Sequence, residues 1–156
     1  MHLDDKQRAI LRLLQSNGRL SSKDIAEETG GPITTAYARV RKMEELGIIK
    51  GYKAILDPKS LDRSATAFVF ASFAHPASKE GLTSHRRIAK EVAKHPEVQE
   101  VHIITGDWDV LIKLKGKDVD ELSNFVMNDL RTMGGVEKTL TCIVFETAKE
   151  STDIMI

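Results

Sequence analysis

The sequence predicts an α+β fold in two parts: an N-terminal helix-turn-helix domain, an extended linker, and a ferredoxin-like β-α-β-β-α-β domain. Three observations predict it. The first 47 residues carry apolar stripes at helical spacing punctuated by glycine. A tight "TGGPIT" turn separates the second and third stripes. From residue 65 onward, strand-like and helix-like runs alternate in the order of a split β-α-β unit.

The first helix starts at "DDKQ", where Asp4 and Gln7 have capping-box spacing; Gln7, Ile10, Leu11 and Leu14 form its stripe and Gly18 stops it. The second is capped by Ser21 or Ser22, buries Ile25 and Ala26, and stops at Gly30. Pro32 opens the third, whose arc is Ile33, Ala36, Val40 and Met43, and Gly47 ends it. Opposite that arc stand Thr34, Ala38, Arg41, Lys42 and Glu45, flanked by Thr35, Tyr37 and Arg39. Such a face suits a DNA-reading helix, and it equally suits a solvated face on a small bundle. "GIIKGYKAILDP" follows as an extended segment that Asp57-Pro58 stops. The domain boundaries fall at 1–56 for the helical domain with its trailing strand, 57–64 for the linker, 65–150 for the sheet domain and 151–156 for a tail.

In the sheet domain, "ATAFVFASF", "VQEVHIIT", "WDVLIKLK" and "VEKTLTCIVFE" read as strands. "SHRRIAKEVAKHP" reads as a helix with Ile88, Ala89, Val92 and Ala93 inward. "DVDELSNFVMNDLR" reads as a second, capped by Asp118 and burying Leu122, Phe125, Val126 and Leu130. Two helices cover one sheet face. A sheet wet on the other face alternates cleanly between apolar and polar residues. Here Phe68 and Phe70 oppose Val69, Ala71 and Phe73, and Leu140, Cys142 and Val144 oppose Thr139, Thr141, Ile143 and Phe145. Apolar groups on both sides predict that copies of the chain meet at the open face.

Composition bounds the function. The 156 residues hold 23 Lys/Arg and 23 Asp/Glu, so the whole chain does not look like a nucleic-acid binder. The zero hides a split: residues 1–53 have ten basic against seven acidic groups, and the remainder thirteen against sixteen. The acidic, polar start is no signal peptide, and no apolar run reaches the ~20 residues of a membrane helix. One cysteine, Cys142, excludes an internal disulfide and fits a reducing cytoplasm; alternation turns it inward as an inert thiol. His2, His75, His85, His95 and His102 show no paired metal-ligand spacing, and no phosphate loop is present. "TGDWD" (105–109) reads as a two-residue type II′ hairpin at Gly106-Asp107. Asp107 and Asp109 are not read as a catalytic pair. No catalytic residue, metal or cofactor is expected, and the chain reads as no enzyme. The competing reading is a ferredoxin-like metabolite-binding module or enzyme with a helical protein-interaction domain.

"LDDKQRAILRLLQSNGR", "GIIKGY", "LDP" and "TGDWD", in that order and over nearly the whole chain, resemble the Lrp/AsnC (feast/famine) regulators. The resemblance implies a cytoplasmic transcription regulator that binds double-stranded DNA. It implies dimers that assemble into octamers or other higher oligomers, and a C-terminal RAM-type domain that binds an amino acid effector. Thr34, Thr35, Tyr37, Arg39, Arg41 and Lys42 are then the reading-helix contacts. Lys23, Lys50 and Lys53, with Arg19, are candidates for holding the DNA backbone. Thr105, Gly106, Asp107, Trp108 and Asp109 would line an effector pocket at a subunit interface: backbone N–H groups for a carboxylate, an aspartate for an ammonium, Trp108 as a wall. Thr139 and Thr141 are further candidates. In "GGPITTAYARVRKME" the proline sits one position earlier than in the family pattern. Tyr37 and Ala38 replace a common serine and arginine, and Trp108 replaces a tyrosine.

Overall fold

The computed structural model describes residues 2–74 and 81–156, the side chains of 81–84 excepted. His75 lies outside the described residues. The chain divides into two compact units, one running to Leu56 and taking in Lys149–Ile156, the other Asp57–Ala148.

In the first unit, α1 (Asp5–Ser16) and α2 (Ser22–Thr29) each open on a complete capping box, Asp4 with Gln7 and Ser21 with Asp24. Each box satisfies backbone N–H groups that the first helical turn leaves without intrahelical partners. α3 (Ile33–Glu45) has no side-chain cap; Pro32 is its extended N-cap, one residue earlier than the sequence reading places it. α3 ends in a Schellman motif. Ile48 N–H donates to the Met43 carbonyl and Gly47 N–H to that of Glu44, both at 2.9 Å, with Gly47 at φ +69°. The core is Ile10, Leu11, Ile25, Ala26, Ala36 and Met43, with Leu14, Val40, Ile48, Ile49 and Ile156 packed around it. Ile33, expected in the buried arc, is 51% exposed at the first position of α3.

Residues 50–57 form no strand. A strand needs a hydrogen-bonding partner, and this segment pairs with none in the described chain. Tyr52 anchors it instead, donating its hydroxyl to a Glu44 carboxylate oxygen at 3.0 Å. Burial and that carboxylate raise the Tyr52 phenol above its ordinary pKa. The expected linker 57–64 holds a 3₁₀ turn, Lys59–Leu61, and belongs to the sheet unit. Asp57 closes the turn by accepting from the Lys59 and Ser60 N–H groups and the Ser60 hydroxyl. The expected tail groups with the helical unit from Lys149 onward.

The second unit runs β1 (Ala65–Phe73), α4 (Gly81–Val92), β2 (Val98–Ile103), β3 (Val110–Gly116), α5 (Val119–Asn124) and β4 (Val136–Ile143). α5 continues without a break through a π turn, Phe125–Asp129, into a 3₁₀ turn, Leu130–Thr132. The strands form one antiparallel sheet in the order β2-β3-β1-β4, the ferredoxin-like arrangement. Ala67, Val69, Ala71 and Phe73 of β1 and Val110, Ile112 and Leu114 of β3 point into a core shared with Ile88 and Val92 of α4 and Leu122, Phe125, Val126 and Leu130 of the second helix. Ala93 is exposed because α4 ends one residue before it. Gly116 lets that helix approach: a Cβ there would lie 2.8 Å from Leu122 Cδ2 and from Glu121 Oε2.

No described helix of the sheet unit packs on the other sheet face. Directly paired residues share a face, so register names its members. Phe68 opposes Lys113 and Cys142; Phe70 opposes Leu111 and Leu140; His102 opposes Leu111. Phe68, Phe70, Leu111, Leu140 and Cys142 thus form an apolar field, with Glu100, His102 and Lys113 on one flank. Glu100 accepts from Lys113 at 3.4 Å and lies 3.1 Å from His102 Nε2. These two neighbours hold its carboxyl below the usual range, His102 more strongly. Cys142 is exposed rather than buried, since its partner Phe68 faces away from the helices.

Candidate nucleic-acid interface and ligand hairpin

α3 turns Ala36 and Met43 into the core, which fixes its outer face. Thr34, Thr35, Tyr37, Ala38, Arg41 and Lys42 are exposed there, with Tyr37 56% accessible. The Arg41 guanidinium lies 3.6 Å from Glu45 one turn on. Lys23 on α2 makes a loose 3.9 Å pair with Glu27, and Arg19, Lys50 and Lys53 are exposed on their segments. Exposed pairs of this kind are worth at most about 1 kcal/mol, so they hold these cations only weakly.

Arg39 differs from the other cations. Its guanidinium donates to Asp4 Oδ2 at 2.6 Å, and its side chain is 29% exposed. Asp4 Oδ1 meanwhile accepts from Gln7 N–H at 2.7 Å. One carboxylate therefore caps α1 and holds α3. Arg39, then the Gln7 N–H, push the Asp4 pKa below its ordinary value. Asp4, Gln7, Thr34, Thr35, Ala38, Arg39 and Lys42 line one shallow groove between the start of α1 and α3. Sequence reasoning placed Asp4 as a cap and Gln7 as its capping-box partner and a member of the α1 stripe. Their position in the groove comes from a contact across 35 residues that no local pattern carries. Lys6 donates to the Gly30 carbonyl at 2.8 Å and so pins the turn between α2 and α3 to α1.

The hairpin is longer than the two residues expected. Ile103 pairs with Val110, Ile104 N–H donates to the Asp109 carbonyl at 2.9 Å, and Thr105–Trp108 form the loop. Gly106 has φ +115°, a conformation side chains disfavour, with no atom near where a Cβ would stand; backbone conformation alone requires the glycine. Asp109 explains the length. Its N–H donates to the Ala71 carbonyl at 3.0 Å, and its Oδ2 accepts from Phe73 N–H at 2.7 Å. Asp109 is spent on tying the loop to β1, whereas Asp107 is exposed at the tip. Trp108 lies over the open face, its ring centroid 6.1 Å from that of Phe70. Thr139 and Thr141 oppose Ala71 and Val69, and so lie on the helix-covered side, away from Trp108. Within one chain Thr105, Gly106, Asp107 and Trp108 come together, and Thr139 and Thr141 do not join them. Phe70, unremarked as a site residue in the sequence, stands beneath Trp108, and Leu140 lies beside Phe70 on β4.

His85 is buried against the Phe73 ring, and His95 stands edge-on to Phe125; both pack structurally. Among the described residues no group of three His, Cys, Asp or Glu is placed to hold a metal ion. Among them, too, no helix is long and apolar enough to cross a membrane.

Comparison with known proteins decides the family. The Lrp/AsnC ligand binding domain matches residues 66–154, and a winged helix-turn-helix DNA-binding domain matches residues 3–50. The chain belongs to the Lrp/AsnC family. It is 36% identical over 154 residues to the HTH-type transcriptional regulator FL11 of Pyrococcus horikoshii, covering 99% of this chain and 97% of that one. A transcriptional regulator of Neisseria meningitidis, solved as its L-Met complex, superposes with a TM-score of 0.89 at 29% identity, covering 99% and 97% of the two chains. AsnC of E. coli gives 0.86 at 25% identity, covering 98% and 99%. The Lrp/AsnC chain described here is therefore a DNA-binding transcription regulator with a ligand-binding domain, in company with relatives named as regulators and not as enzymes.

Proposed function

We propose that this Lrp/AsnC regulator reads specific DNA sequences through the outer face of α3, assembles through the open sheet face, and takes an amino acid at the Thr105–Trp108 loop. The observation that carries the DNA reading is the exposed arc of Thr34, Arg41 and Lys42, flanked by Thr35 and Tyr37, on the side of α3 away from buried Ala36 and Met43. Arginine pairs bidentately with guanine, threonine contacts thymine methyl groups, and lysine neutralises phosphate. Lys23, Lys50 and Lys53 supply further phosphate contacts, and Arg39 acts from within its pair with Asp4. One copy offers few cations, so affinity rises when copies share one DNA.

The apolar field of Phe68, Phe70, Leu111 and Leu140 supports self-assembly into dimers and higher oligomers, octamers among them. The Neisseria relative's L-Met complex supports an amino acid as effector. Gly106 and its neighbours offer backbone N–H groups to the ligand carboxylate, Asp107 meets the ammonium, and Trp108 excludes water. Asp109 is a positioning group for this loop. The regulator acts in the cytoplasm, where its DNA lies.

A gel-shift titration of a duplex from the gene's own promoter tests the DNA reading. Binding should weaken with salt, and Lys42→Ala should lower the log–log salt slope by about 1. A wild-type protein that shifts no duplex in a salt-sensitive way refutes the reading. For the effector, a thermal-shift screen of the twenty amino acids should find at least one that raises the melting temperature. Asp107→Ala should then abolish that rise.

A further inference from the structure

We infer that Lys149–Ile156 is a docked strap of the helical unit, an extended segment seated on α1 by Arg12 and Gln15, so that this unit is tethered at both ends. The Gln15 amide engages both backbone groups of Ile154: its Nε2 donates to the carbonyl at 3.0 Å and its Oε1 accepts from the N–H at 2.6 Å. A side-chain amide that meets one residue's N–H and C=O together reads extended backbone as a neighbouring strand would. Arg12 Nε donates to the main-chain oxygen of Ile156 at 2.7 Å. The Ile156 side chain packs against the core of Ile10, Leu11, Ile25, Ala36 and Met43. Ile154 and Met155 leave their own side chains exposed, at 71% and 100%. Backbone recognition and a single apolar anchor therefore do the holding.

The ligand-binding family match runs to residue 154, yet the structure places its last six residues in the helical unit. The chain crosses between the two units twice, after Leu56 and after Ala148. Local stability of α1 thus depends on a segment that the ligand-binding domain supplies. Such an element can transmit a change in that domain only if the strap stays seated, because coupling requires an element that both sites bias.

Hydrogen exchange on the full chain tests the strap without DNA. In Arg12→Ala/Gln15→Ala, and in a chain stopped after Ala148, the α1 amides should exchange about tenfold faster or more, while the β1–β4 amides keep their wild-type rates. Alanine favours helix more than arginine or glutamine, so faster exchange in the double variant is not a propensity effect. Unchanged α1 exchange in both variants overturns the inference. So does an acceleration shared equally by the sheet.

The occupant is tested by Gln15→Cys/Ile154→Cys in a Cys142→Ser background with a short bis-maleimide. Linkage within single chains is expected; two-chain products overturn the own-chain assignment, and the absence of any linkage overturns docking. The functional consequence rests on the proposed DNA reading. The double variant should bind the own-promoter duplex about tenfold more weakly. Wild-type binding retained by a variant with a loosened α1 overturns the strap's role in DNA binding. A wild type that binds no duplex refutes the DNA reading and leaves the exchange result to stand alone.

Discussion

Asp4 and Asp109 show how a single carboxylate decides local geometry. Asp4 caps α1 with one oxygen and holds Arg39 with the other. Its lowered pKa fixes the sign of a pH effect. The contribution is fully present above the ordinary aspartate pKa and is lost as pH falls through the lowered value. Asparagine still caps a helix but carries no charge for Arg39. Melting temperatures of Asp4→Asn should therefore fall less steeply than wild type between neutral pH and pH 3; parallel curves would show that the pair contributes nothing. Asp109 accepts the Phe73 N–H, and removing it leaves a partly buried donor without its partner. Asp109→Ala should cost about 1–3 kcal/mol in chemical denaturation, whereas exposed Asp107→Ala should stay within about 0.5 kcal/mol. The two aspartates look alike in "TGDWD". The sequence does not distinguish their tasks, because Asp109's partner comes from a strand 36 residues away.

At the scale of elements, local chemistry was legible where it acts locally. The box at Asp4, a serine cap at Ser21 (one of the two candidates), the glycines after α2 and α3, and the buried stripe Leu122, Phe125, Val126 and Leu130 all sit where periodicity and capping put them. What was not legible depends on distant partners. The 50–57 segment has strand composition and no ladder. The hairpin grew from two residues to four because Asp109 is pinned to β1. The passage of α5 into π and 3₁₀ turns has no proline or glycine to announce it. Cys142 was assigned to the right alternation but the wrong side, since which phase faces the helices is set by register against β1. The β3–α5 junction gives a direct check. Gly116→Ala forces a Cβ against Leu122 and Glu121, and should cost about 1–3 kcal/mol, read as a melting-temperature drop of several degrees.

At the scale of the molecule, the two halves divide the work by surface chemistry. The helical unit presents hydroxyls and cations on α3, and the sheet unit presents an apolar field with Trp108 at its edge. Burying such a field between copies gains roughly 25 cal/mol for each Å² removed from water. Under the proposed assembly that gain would bring several α3 helices onto one DNA, which a single weakly basic unit needs. A charge in the middle of the field leaves each fold intact, since Phe70 and Leu140 point away from the core. The most direct measurement is multi-angle light scattering at micromolar concentration on wild type and on Phe70→Asp/Leu140→Asp. Wild type should have a mass at an integral multiple of the chain, two or more, and the charged variant should fall to a single-chain mass with unchanged circular dichroism. A wild type that runs as a well-behaved single chain would contradict assembly through the open face.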